Sequence, residues 1–66
     1  MNEKLVDEVC EELIRRNIRI DAMEHAKRAV ELAAKFKPEI TDPAALLSWY
    51  LGPEVSLCEE IMRNEG

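Results

Sequence analysis

Residues 42–53 read Asp-Pro-Ala-Ala-Leu-Leu-Ser-Trp-Tyr-Leu-Gly-Pro, and this stretch decides how the rest of the chain must be arranged. Asp42 before Pro43 is a helix-start signal. A carboxylate can accept from the N–H groups that the first turn leaves open, and proline's fixed φ suits the first helical position. Gly52 and Pro53 supply the stop. From Ala44 to Leu51 only Ser48 is plainly polar, so this helix is apolar around most of its circumference. Such a helix must be enclosed by its neighbours or shared with another molecule. The expectation is an all-α fold, a compact three- or four-helix array with a helix over 43–51 among the others.

Upstream, Pro38 disfavours a helical Lys37. Asp21 with Glu24 three residues later has the form of a capping box. The spacing between them predicts a helix over 22–36. Its residues Ala22, Ala26, Ala29 and Ala33 form a stripe of small side chains that lets a neighbouring helix approach closely, with Met23, Val30 and Leu32 flanking it. That neighbour is expected over 3–16, antiparallel after a short turn. There Leu5, Val6, Val9, Cys10, Leu13 and Ile14 recur at spacings of one, three and four, the stripe of an amphipathic helix. Asn2 is its expected N-cap and Asn17 its stop, while Ile18 and Ile20 are expected to point inward. Downstream, a last helix over 54–64 is opened either by Pro53 or by Ser56 with Glu59, and Leu57, Cys58, Ile61 and Met62 form its apolar side.

With 66 residues there is room for one small helical domain, 1–66. A chain of this size buries only about 60% of the surface it exposes when unfolded, so its core needs help or its stability is small. Hydrophobic residues at 47% exclude disorder by low hydrophobicity. No signal-peptide pattern and no apolar run of about 20 residues is present. Cys10 and Cys58 are therefore expected as free thiols, and the cytoplasm as the compartment.

The net charge of −5 is unevenly spread. Residues 15–37 carry seven bases and three acids, whereas both flanking segments are acidic. Helix physics accounts for much of this. Glu11–Arg15, Glu12–Arg16, Glu24–Arg28, Glu31–Lys35 and Glu59–Arg63 are acid-before-base pairs four residues apart, each adding about 0.2–0.5 kcal/mol to its helix. The pairs read as solvated helix faces. The alternative reading is a nucleic-acid-associated regulator using Arg15, Arg16, Arg19, Lys27 and Arg28. It is opposed by the sequence pI of about 4.8.

Catalytic chemistry finds no motif. There is no glycine-rich phosphate loop, no nucleophile elbow and no cysteine pair at zinc spacing. His25 is the sole histidine, four residues after Asp21, and reads as a surface or helix-start residue rather than a metal ligand. No enzyme activity, cofactor or metal is expected, nor any membrane segment. The expected role is a small helical protein–protein interaction module, an adaptor, regulator or inhibitor, bound to a protein partner or to itself. Its expected contact residues are Trp49, Tyr50, Leu47 and Leu46, since Trp and Tyr bury much area at low entropic cost.

Overall fold

A computed structural model of the chain describes residues 3–65, so the expected cap at Asn2 lies outside the described residues. The elements are α1 (Glu3–Arg15), α2 (Ala22–Phe36), α3 (Pro43–Tyr50) and α4 (Glu54–Glu65), with no strand among the described residues. The all-α array is thus a four-helix one.

The turn out of α1 has a physical logic of its own. Asn17 adopts a left-handed conformation with φ 68°. This lets the Asn17 N–H donate to the Ile14 carbonyl at 2.9 Å and the Ile18 N–H donate to the Leu13 carbonyl at 2.9 Å. Those two bonds are a Schellman motif, and the accompanying apolar contact at its ends turns Ile18 toward the core. The expectation for Ile20 fails. Asp21 is also left-handed, with φ 55°, and the second reversal leaves Ile20 83% exposed. The same geometry overturns the capping box. A side-chain cap works from an extended cap residue, and left-handed Asp21 makes no side-chain cap bond. Only its carbonyl joins the helix, accepting from His25 N–H at 2.9 Å.

Asp42 behaves as its sequence context promises. It is extended, at φ −81° and ψ 125°, and its Oδ2 accepts from Ala45 N–H at 3.0 Å. At the other end, Gly52 N–H donates to the Trp49 carbonyl at 3.0 Å. A Cβ on Gly52 would stand 3.2 Å from that same oxygen, so a side chain there would crowd the turn. Of the two possible starts for α4, Pro53 is the one used, because the helix is under way by Glu54.

The alanine stripe of α2 meets α1 closely. Val9, Ala26, Ala29, Leu46 and Leu47 have no exposed surface, and Leu13 has 1%. Ile14 and Met23, expected on the inward faces, are exposed instead. α3 touches all three other helices, whereas α4 touches only α2 and α3. Val55 is the one α4 residue fully buried among those described. Since no Cα of α1 lies within 8 Å of any in α4, Cys10 and Cys58 are beyond the roughly 4.4–6.8 Å that a disulfide spans, and both are free.

None of the five acid-before-base pairs closes as an ion pair at spacing four. Arg15 turns back to Glu12 at 3.1 Å, and Lys35 crosses to Glu65 of α4. Exposed pairs of this kind are worth about as little as the side-chain entropy they cost, so a small local preference redirects them.

Three substitutions test this geometry. Leu13→Ala is expected to cost about 2–5 kcal/mol in chemical denaturation, because it empties a sealed position. Asn17→Gly should stabilise by up to about 1 kcal/mol by removing the cost of a left-handed non-glycine residue, and Asp42→Ala should destabilise by about 1 kcal/mol through the lost cap.

Candidate interaction surface

The four contact residues expected on α3, Trp49, Tyr50, Leu47 and Leu46, are divided by the structure. Leu46 and Leu47 point into the chain's own core with 0% exposure, so neither has surface to offer a partner. The reason is that an eight-residue helix is short enough for three neighbours to cover its inner sides at once. Trp49 and Tyr50 are half-buried and pack against the core cluster. The indole N–H of Trp49 is buried with no acceptor, an arrangement that costs about 1–3 kcal/mol relative to a paired donor.

Tyr50 belongs to a polar seam that binds α4 to the rest. Its hydroxyl oxygen lies 3.3 Å from Nδ1 of His25, with the two rings tilted at 57°. The hydroxyl donates to Nδ1 in the tautomer that carries its proton on Nε2. His25 is therefore not a plain surface residue. Burial pushes the Tyr50 pKa upward; the Arg28 guanidinium pulls it back, and the Glu59 carboxylate of α4 adds to the rise. Further along the seam Arg28, Glu31, Leu32, Glu59, Met62 and Arg63 line one crevice, and Lys35 pairs with Glu65 at its end. Nothing in sequence spacing signals a pairing between positions 25 and 50.

The apolar surface left uncovered lies elsewhere. Leu57 is 64% exposed and Ile61 46%, one helical turn apart on α4. Leu51, just before that helix, is 50% exposed. The inner side of α4 holds Val55, Cys58, Glu59 and Met62, buried or half-buried. The four residues expected as a single apolar side thus split: Cys58 and Met62 face inward, Leu57 and Ile61 outward. The spacing of Val55 to Cys58 and Met62 (three and then four) was the readable signal for the inner side.

Of the basic residues singled out as nucleic-acid contacts, Arg15 is engaged by Glu12 and Arg28 acts on Tyr50. Arg16 and Arg19 are exposed at the turn between α1 and α2, and Lys27 is exposed beside Met23 and Glu3. A separate apolar groove of about 470 Å³ opens beside Leu5, Val30, Ala34, Pro38 and Ile40. Among the described residues no three His, Cys, Asp or Glu side chains gather as metal ligands, and no helix is long and apolar enough to cross a membrane. Compared with protein-family models, curated proteins and solved structures, the chain matches none.

Tyr50 is the only tyrosine, so its titration can be followed directly by phenolate absorbance. Its midpoint is expected above the ordinary 10.0, and higher again in Arg28→Gln, which removes the opposing charge. A folded-state value raised above the unfolded one means that the neutral phenol is favoured by the fold. That contribution is complete below pH 10 and is lost as the pH climbs through the raised midpoint.

Proposed function

We propose that the chain is a small helical protein–protein interaction module, an adaptor, regulator or inhibitor, which performs no catalysis and docks through the outer face of α4. The observation that carries this reading is the pair Leu57 and Ile61, stacked outward on a helix whose only fully buried described residue is Val55. An isolated monomer gains nothing by holding two large aliphatic side chains in water, while an interface gains roughly 25 cal/mol for each Å² of apolar surface it covers. Half-exposed Leu51, just before α4, is a further apolar side chain in this half of the chain. Trp49 and Tyr50 act in this reading as the floor that positions α4, and Leu46 and Leu47 as core. The setting is the cytoplasm, where Cys10 and Cys58 remain reduced thiols, and the partner is a protein, another copy included.

Nucleic acid remains the alternative partner, favoured by the exposure of Arg16, Arg19 and Lys27. It has fewer residues than sequence reasoning assigned to it, since Arg15 and Arg28 have acidic or phenolic neighbours of their own.

Sedimentation velocity at low micromolar concentration, alone and with fractionated extract, tests the proposal. The wild-type chain is expected to sediment in complexes, and Leu57→Ala with Ile61→Ala to weaken them at least tenfold, roughly the 1.4 kcal/mol that two lost aliphatic contacts represent. Thermal unfolding of the double variant should be nearly unchanged, because both side chains are exposed. A strictly monomeric protein that joins no complex would overturn the reading, and retention on mixed DNA and RNA at low salt would favour the alternative.

A further inference from the structure

Six large hydrophobic side chains are exposed among the described residues, and they fall into two sets. Ile14 and Ile20 lie at the turn from α1 into α2, and Met23 follows in the first turn of α2, beside Glu3, Val6 and Asp7. Leu51, Leu57 and Ile61 lie on and just before α4. The charges divide in the same way. Residues 14–28 carry five bases and two acids, a local excess of three positive charges. Residues 51–65 carry four acids and one base, an excess of three negative charges. The two sets of exposed apolar residues therefore lie in stretches of the chain with opposite net charge.

Part of that complementarity is consumed within a subunit: Arg15 pairs with Glu12, and Arg28 faces Tyr50 beside Glu59. α1 and α4 do not touch, so Arg16 and Arg19 at the end of α1 and in the turn are left for an outside contact. On the α4 side Glu65 is committed to Lys35 and Glu59 faces Tyr50 and Arg28, while Glu54 and Glu60 remain exposed beside Leu57 and Ile61. Two α4 faces meeting each other would bring these acids together, which disfavours a contact of like with like. A basic, apolar counterpart is required, and the α1–α2 turn has that chemistry: Ile20 at 83% exposure between Arg19 and Asp21, with exposed Arg16 four residues earlier.

Building on the interaction-module reading, we infer that the chain associates with itself, the basic turn around Ile20 of one copy covering the acid-flanked Leu57–Ile61 face of another. The apolar side chains form the centre of the contact, and Arg16 and Arg19 meet Glu54 and Glu60 at its rim. The area is within reach. A standard interface takes about 800 Å² from each partner, about one sixth of this chain's 4634 Å² surface. Every copy carries one patch of each kind, so the contact joins unlike surfaces and each subunit can both give and receive it.

Charge reversal tests this with the intact chain. Sedimentation velocity should show wild-type association that weakens between about 0.1 M and about 1 M salt, as the screening length falls from about 10 Å to about 3 Å. Arg16→Glu with Arg19→Glu, and separately Glu54→Gln with Glu60→Lys, should each weaken self-association at least about tenfold while leaving the helical signal and unfolding temperature near wild type. An equimolar mixture of the two variants should associate again, because each retains the unaltered patch that the other lacks. Three results would each overturn the inference: a monomeric wild type, a turn variant that associates like wild type, or a mixture that stays dissociated. If the charge variants change nothing while Leu57→Ala with Ile61→Ala dissolves the complexes, self-association through the turn is wrong and the docking face on α4 still stands.

Discussion

The arrangement of this small fold depends on enclosing α3. Eight residues with Leu46 and Leu47 at their centre cannot be left in water, and at 0% exposure neither is. Enclosure takes three neighbours. α1 and α2 reach the helix together because Ala26, Ala29 and Ala33 let their backbones come close, forming a Val- and Leu-lined floor rather than a bulky one. The largest fully buried side chains are leucines and a valine, so the core is made of modest volumes brought near by small residues. Stability in such a core depends on close packing more than on the size of any one anchor.

The third neighbour is held differently. α1 and α2 grip each other through sealed aliphatic contacts, whereas α4 is joined to α2 and α3 by Val55, by half-buried Cys58 and Met62, and by a polar seam. In that seam Glu59 and Arg28 lie near the Tyr50 phenol, which His25 of α2 meets from the other side of the α2–α3 junction, and Lys35 pairs with Glu65. Exposed charge pairs contribute little and neutral hydrogen bonds about 1 kcal/mol. α4 has the fewest buried residues of the four helices, the condition under which local opening costs least. It is also the helix that carries the apolar outer face, so the least firmly held element and the stickiest surface coincide.

How much of this could be read in advance depended on the range of the interaction. Helix limits were set by residues acting within a turn or two: Asn17 closing α1, Asp42 and Pro43 opening α3, Gly52 and Pro53 closing it. The alanine stripe was legible for the same reason, since helical periodicity alone lines it up. Asp21 shows where local reading fails. Its spacing to Glu24 is that of a capping box, yet the preceding turn forces a left-handed backbone that carries the carboxylate away from the first N–H groups. The His25–Tyr50 contact depends on how α3 packs against α2, and the outward turn of Leu57 on how α4 lands on both; no periodicity encodes either. The apolar helix 43–51 is enclosed at Leu46 and Leu47, and the exposed aliphatic side chains of this half of the chain are Leu51, Leu57 and Ile61 instead. Covering α3 consumed one side of α4 and left the other side bare.

That displacement links the fold to its proposed use. With Cys10 and Cys58 free, no crosslink supplements the small core. A helix that turned Leu57 and Ile61 inward would bury them against the seam, but it would then have to expose Val55 and Met62, because a 12-residue amphipathic helix cannot present two apolar sides to one crevice. With apolar residues on two sides of α4, some surface remains uncovered in any single subunit. The charges around that surface then govern what can cover it: exposed carboxylates beside Leu57 and Ile61 repel another acidic face and favour a basic one. The net charge of −5 acts in the same sense at long range, keeping copies apart except where their oppositely charged patches come within a screening length of each other.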